Sequence, residues 1–179
     1  DADGNLHLSE TYYSVGGGFV LTERELLRPP VAAGPPVPYP FANAAELLEL
    51  TRKTGRTIAA IQRMNELARI DANTLDSGMA RIWEVMSDTI DRGLAAETAE
   101  LPGGLRVRRR AGAIRERLET ERGTNLAAPH TINDWISVYA IAVNEENAAG
   151  NRVVTAPTNG AAGVVPATIR YWLDHVPGA

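Results

Sequence analysis

Six of the chain's eleven prolines fall within residues 28–40, Arg-Pro-Pro-Val-Ala-Ala-Gly-Pro-Pro-Val-Pro-Tyr-Pro. Proline fixes φ, removes a backbone donor and pushes its predecessor toward extended geometry, so this stretch can sustain neither a helix nor a central strand. It reads as a stiff linker and sets a domain boundary, with residues 1–27 on one side and 41–179 on the other.

The hydrophobic period changes across that boundary. Before it, residues 5–13 alternate apolar and polar side chains and Val15-Gly-Gly-Gly-Phe-Val20 forms a second short apolar run, which predicts two strands about a glycine-rich turn. After it the period is that of helices. Asn43-Ala-Ala-Glu46 is a capping-box-like start and Thr54-Gly55 a stop; Thr57 caps a second helix with Ile58, Ile61, Met64, Leu67 and Ala68 on one face. A third helix over 73–92 places Leu75, Met79, Ile82, Trp83, Met86 and Ile90 on an expected core stripe. Pro102-Gly-Gly104 breaks the chain, and a basic helical stretch runs on to Gly123. Thr131 caps a long helix whose apolar side is Ile132, Trp135, Ile136, Tyr139, Ala142 and Val143, ended by Gly150. Arg152–Ala156 is β-prone, Pro157-Thr-Asn-Gly160 is a turn, and helical spacing resumes through Val165, Ile169, Trp172, Leu173 and Val176. The expected fold class is mainly α: a β-rich stub, a proline linker and an all-helical body.

At 179 residues the chain is long enough to bury a core. A net charge of -4 argues against a protein whose business is coating nucleic acid or anionic membrane. With no cysteine, no disulfide, thiolate nucleophile or cysteine-held metal centre can be built from these residues alone. No apolar run approaches the roughly 20 residues of a membrane span, and no secretory leader opens the chain, so the expected compartment is the cytoplasm. The first residue is Asp1, within what reads as a turn, which suggests a chain cut from something longer. Lys53 is the single lysine available for a Schiff base.

Four segments carry candidate chemistry, each with a plain structural alternative. Ser14 with Gly16, Gly17 and Gly18 can turn backbone N–H groups and a hydroxyl toward an anion, or form a tight hairpin turn. Thr158, Asn159 and Gly160 open a helix whose free N–H groups and dipole favour a negative group, or simply cap it. Asn144-Glu-Glu-Asn147 continues an apolar helix face with polar groups that either look into a pocket or meet solvent. Seven arginines from Arg106 to Arg122 against Glu116, Glu119 and Glu121 could bind nucleic acid or a carboxylated substrate, but no aromatics interleave for stacking, which favours a solvated, ion-paired face or a subunit contact. His7, His130 and His175 are scattered, at no metal-ligand spacing.

Taken together and in this order, Thr-Tyr-Tyr-Ser-Val-Gly-Gly-Gly-Phe at 11–19, Val-Pro-Tyr-Pro-Phe at 37–41, Leu-Arg-Val-Arg-Arg-Arg-Ala at 105–111, Val-Asn-Glu-Glu-Asn-Ala-Ala-Gly at 143–150 and Arg-Val-Val-Thr-Ala-Pro-Thr-Asn-Gly at 152–160 resemble the bacterial iron-sulfur L-serine dehydratases, or L-serine ammonia-lyases. The resemblance implies that residues 1–27 end a β domain of α/β type, 28–40 link, and 41–179 begin an all-helical α domain. It implies dehydration of L-serine to pyruvate and ammonia, in amino-acid degradation, by a [4Fe-4S] cluster acting as Lewis acid, without pyridoxal phosphate. The cluster's cysteines then lie outside this chain, and position 162 is Ala where some relatives have Cys. The fragment alone is expected to be inactive.

On the same resemblance the substrate carboxylate falls to Ser14, Gly16, Gly17, Gly18, Thr158, Asn159 and Gly160, with Asn147 beside them. No catalytic base is identified and no metal ligand is assigned here. The implied partners are L-serine, the missing β-domain and C-terminal α-domain parts and, when complete, a second copy in a homodimer; neither nucleic acid nor membrane is expected. The runner-up is a non-enzymatic helical interaction module using its arginine-rich face.

Overall fold

The computed structural model describes residues 9–16, 19–27, 35–122, 131–154 and 158–178. The chain divides into two compact units, Asp1–Arg28 with Ile82–Ala179, and Pro29–Arg81. Among the described residues there are two strands and seven helices, so the fold is mainly α.

The smaller unit shows how local sequence sets helix ends. Helix α2 (Ala44–Thr54) is capped by Asn43, whose side chain accepts from the Glu46 N–H at 3.0 Å, while Glu46 reaches back to the Ala42 N–H at 2.7 Å. It stops at Gly55, whose φ of 67° lies in the left-handed region that glycine enters without a Cβ penalty. Thr57 caps α3 (Ile58–Leu67) through the Ala60 N–H at 3.1 Å. Asn65 on α3 both donates to and accepts from the backbone of Tyr39, at 2.8 and 3.0 Å, so the proline-flanked segment is pinned by one side chain.

In the larger unit, β1 (Tyr12–Gly16) pairs antiparallel with β2 (Phe19–Thr22), Tyr12 opposite Thr22 and Gly16 opposite Phe19, and α1 (Glu23–Leu27) follows. Of the alternation expected over residues 5–13, residues 5–8 lie outside the described residues, and Tyr12 and Tyr13 lie in β1. Val15 and Gly16 belong to the first strand, with an irregularity in register between Ser14 and Gly16.

The core is helical. It joins the end of α4 (Ala72–Ala95), α5 (Ala111–Glu121), α6 (Thr131–Ala148) and α7 (Asn159–His175) around Ile90, Leu118, Val138, Tyr139, Ala142 and Ala167. Close approach depends on glycine: a methyl group on Gly93 of α4 would lie 2.7 Å from the Ala142 carbonyl carbon of α6. Gly163 of α7 likewise lets that helix approach the Ala140 carbonyl oxygen, 3.1 Å from where a Cβ would stand.

Three expectations change. The α4 stripe is buried only near its end, at Ile90 and Leu94, whereas Met79 and Ile82 are exposed. On α7 the sides are reversed: the small residues Ala162, Gly163, Pro166 and Ala167 face the core, and the large apolar ones face out. Of the β-prone stretch Arg152–Ala156, residues 152–154 form no strand, because the Arg152 carbonyl is taken by side chains, Arg92 Nη2 at 3.0 Å and Thr89 Oγ1 at 3.2 Å, rather than by a neighbouring strand, and residues 155 and 156 lie outside the described residues.

Candidate functional site

The polar centre with the most bonds forms where α6 ends. Glu145 and Glu146 are successive helical residues, about 100° apart around the axis, and so serve different partners. Glu145 accepts from the N–H groups of Arg110 at 2.8 Å and Ala111 at 3.4 Å, closing the N-terminus of α5, for which Arg110 gives no side-chain cap. Glu146 accepts from Arg109 Nη1 at 3.0 Å, Asn151 Nδ2 at 2.9 Å and Arg92 Nε at 3.4 Å. Both glutamates are at most 5% exposed, and a carboxylate that deep is held only if paired and hydrogen-bonded.

This arrangement settles two sequence alternatives. The polar end of α6 turns inward to protein rather than to solvent. The arginine run is not one surface: the Arg109 side chain is buried as the counter-ion of Glu146, while Arg115–Glu119 and Arg117–Glu121 are i,i+4 pairs on α5. The 105–111 and 143–150 blocks are thus physically bonded to each other.

The residues expected to hold a carboxylate are placed as follows. Ser14 is exposed on β1 opposite Val20, and Gly16 lies at the last pair of the hairpin. Gly17 and Gly18 lie outside the described residues. Thr158 caps α7, its Oγ1 accepting from the Ala161 N–H at 3.2 Å; Asn159 and Gly160 are the first residues of that helix. Asn147 is half-buried in the last turn of α6, its carbonyl accepting from the Gly150 N–H at 3.1 Å. Ser14 and Thr158 belong to the same compact unit, and among the described residues no hydrogen bond joins the hairpin to α7. Lys53 is exposed and paired with Glu49 at 3.4 Å.

A second polar group was not foreseen. A cleft of about 330 Å³ is lined by Asp91, Arg115, Arg122, Tyr139, Asp174 and His175, among others. The Tyr139 hydroxyl donates to Asp174 Oδ2 at 3.0 Å and lies 3.1 Å from His175 Nε2; Arg170 binds Asp174 at 2.7 Å and Asp91 at 3.0 Å. Burial, and then the bond to Asp174, raise the tyrosine pKa well above its ordinary value. Burial, and then the Arg122 charge, lower the His175 pKa from its ordinary value, which favours the neutral imidazole. Arg170 and Asp174 at i,i+4 were the available signal, but Tyr139 reads as a core aromatic and His175 as a lone histidine.

Residues 45–177 match the family described as "Serine dehydratase alpha chain", and the chain belongs to it. It is 48% identical over 180 residues to the L-serine dehydratase of Streptomyces coelicolor, covering 100% of this chain and 38% of the relative. It is 46% identical over 164 residues to L-serine dehydratase 2 of Escherichia coli, covering 92% and 35%. To the L-serine dehydratase of Helicobacter pylori strain 26695 it is 45% identical over 168 residues, covering 93% and 36%. The chain therefore spans a little over a third of the length of the curated relatives it matches.

Proposed function

We propose that this chain is a segment of an L-serine ammonia-lyase, spanning the end of a β domain, the proline linker and the first half of a helical α domain. The whole enzyme converts L-serine to pyruvate and ammonia in the cytoplasm. One observation carries the reading: 48% identity extends over the whole chain to a protein named L-serine dehydratase. It is supported by the bonding of two resemblance blocks through Glu145 and Glu146, which gives those residues a reason to occur together. Among the described residues no helix is long and apolar enough to cross a membrane.

The residues present do not fit an iron-sulfur cluster. The sequence has no cysteine, and among the described residues no cluster of histidine and carboxylate side chains is arranged to hold a metal ion. The cluster the family implies takes its ligands from other parts of the enzyme, and no step through it is assigned to these residues. The share left to this chain is binding. Ser14, Gly16, Gly17, Gly18, Asn147, Thr158, Asn159 and Gly160 grip the substrate, chiefly its carboxylate, with the first-turn N–H groups of α7 as donors and its dipole favouring the negative charge.

The test is a chimaera in which this chain replaces the matching region of the Streptomyces coelicolor relative. Asn159→Ala with Gly160→Pro, which removes a side-chain amide and a backbone donor, should raise KM for L-serine at least tenfold with the helix content unchanged. An unchanged KM removes this loop from the substrate site.

A further inference from the structure

The segment leading into α7 carries a backbone oxygen that no regular structure claims. Residues 151–154 form neither helix nor strand, so the Arg152 carbonyl needs donors from elsewhere. Two side chains of α4 reach it, Arg92 Nη2 at 3.0 Å and Thr89 Oγ1 at 3.2 Å. The hydroxyl has one proton and a nearer acceptor, the Val85 carbonyl at 2.7 Å. That proton goes chiefly to its own helix, and Arg92 is left as the standing donor. Gly93, the next residue, lets α4 touch the Ala142 backbone of α6, which brings the Arg92 guanidinium to the end of that helix. There its Nε lies 3.4 Å from Glu146 Oε2, while Nη2 also donates to Thr89 Oγ1 at 3.2 Å. The same Glu146 oxygen accepts from Asn151 Nδ2 at 2.9 Å, and the Glu146 carbonyl accepts from the Asn151 N–H at 3.0 Å. One planar group therefore bridges a buried carboxylate and the carbonyl of residue 152, which a guanidinium fork can do and a single ammonium cannot.

The other end of this connection is fixed by shape. Gly163 of α7 stands so close to α6 that a Cβ would lie 3.1 Å from the Ala140 carbonyl oxygen and 3.2 Å from Asn144 Oδ1. Thr158 closes the first turn through the Ala161 N–H. The chain between Arg152 and Thr158 can extend to about 20 Å, so seating α7 alone leaves its approach free to wander, and the bond at residue 152 removes that freedom. We infer that Arg92 is a positioning residue for the turn at residues 158–160, acting through the Arg152 carbonyl, an inference resting on the reading proposed above. A turn that grips the substrate carboxylate alike in the ground and transition states contributes uniform binding, so loosening its approach raises KM and spares kcat.

The test has two arms. In this 179-residue chain, hydrogen exchange read by mass spectrometry compares the parent with Arg92→Met, Arg92→Lys and Ile90→Val, the last trimming a core residue of the same helix that makes none of these bonds. In the chimaera described above, steady-state kinetics with L-serine compares the same four. Both Arg92 variants should speed exchange in the peptide spanning residues 152–163 by about fivefold or more and raise KM by about as much, with kcat within about twofold of the parent. Arg92→Lys keeps a charge beside Glu146, so it should unfold in urea near the parent's midpoint and still show both effects. Ile90→Val should lower the midpoint and leave KM alone. Unchanged exchange in Arg92→Met, or a KM that follows the urea midpoint across the variants, overturns the positioning role. An active chimaera whose KM ignores Arg92 sinks this inference and spares the enzyme reading. A folded chimaera without turnover, beside an active parent relative, sinks both.

Discussion

Removing the positive half of the Arg109–Glu146 pair should cost far more than removing both charges. The Arg109 side chain is 9% exposed and that of Glu146 3%, so neither is rescued by water. Breaking such a pair strands a buried charge, at about 3–5 kcal/mol. Two bonds soften this: Asn151 Nδ2 at 2.9 Å remains, and Arg92 at 3.4 Å is half exposed and so a weak substitute. Arg109→Met is therefore expected at about 3 kcal/mol, near the lower end of that range. In Arg109→Met with Glu146→Gln the charge is gone and the amide oxygen still accepts from Asn151, so the double variant should lie within about 1–2 kcal/mol of the parent. Urea unfolding followed by circular dichroism measures both, with the slope checked for constancy. A single variant losing less than about 1 kcal/mol, or a double variant no better than the single, would refute a buried, uncompensated carboxylate as the source of the effect.

Gly93→Ala should force α4 and α6 apart, because its methyl would sit 2.7 to 2.8 Å from Ala142 backbone carbons; a loss of about 1–3 kcal/mol is expected, read as a melting point lower by roughly 3–10 °C. Thr158→Ala should remove about 1 kcal/mol of capping and Thr158→Ser should restore it, measured by chemical denaturation. The pH dependence follows from His175: its folded-state pKa lies below 6.5, so its contribution is complete above about pH 6.5 and is lost as pH falls through the lower folded value. A melting series from pH 8 to pH 5 should show that decline, and His175→Gln should flatten it; a stability that rises on acidification contradicts the burial argument.

Helix ends were the most legible part of this fold because caps are local. Asn43, Gly55, Thr57 and Thr158 each act within four residues of their partners, and each does in the structure what its type predicts. The mainly α class followed from period alone. The direction a stripe faces was less legible: periodicity shows that Val165, Ile169, Trp172 and Val176 share a side, and only the fit of Gly163 against α6 shows that the opposite side is the buried one. The described part of the β-prone Arg152–Ala156 stretch forms no strand because β propensity needs a partner edge, and Thr89 and Arg92 hold the Arg152 carbonyl. Glu145 and Glu146 were legible as a polar continuation of an apolar face. Their partners, 35 to 37 residues earlier at Arg109 and Arg110, were not, since no local rule spans that separation. The Tyr139–Asp174–His175 group has the same long-range character.

The most direct test of the enzymatic reading is pyruvate formation from L-serine by the Streptomyces coelicolor relative with residues 1–179 of this chain in place of its matched region, assayed without oxygen beside this chain alone. The account predicts a folded chimaera that releases pyruvate and ammonia in equal amounts while the isolated chain releases neither. A chimaera that folds with native helix content yet leaves L-serine untouched, under conditions where the parent relative turns it over, would contradict it.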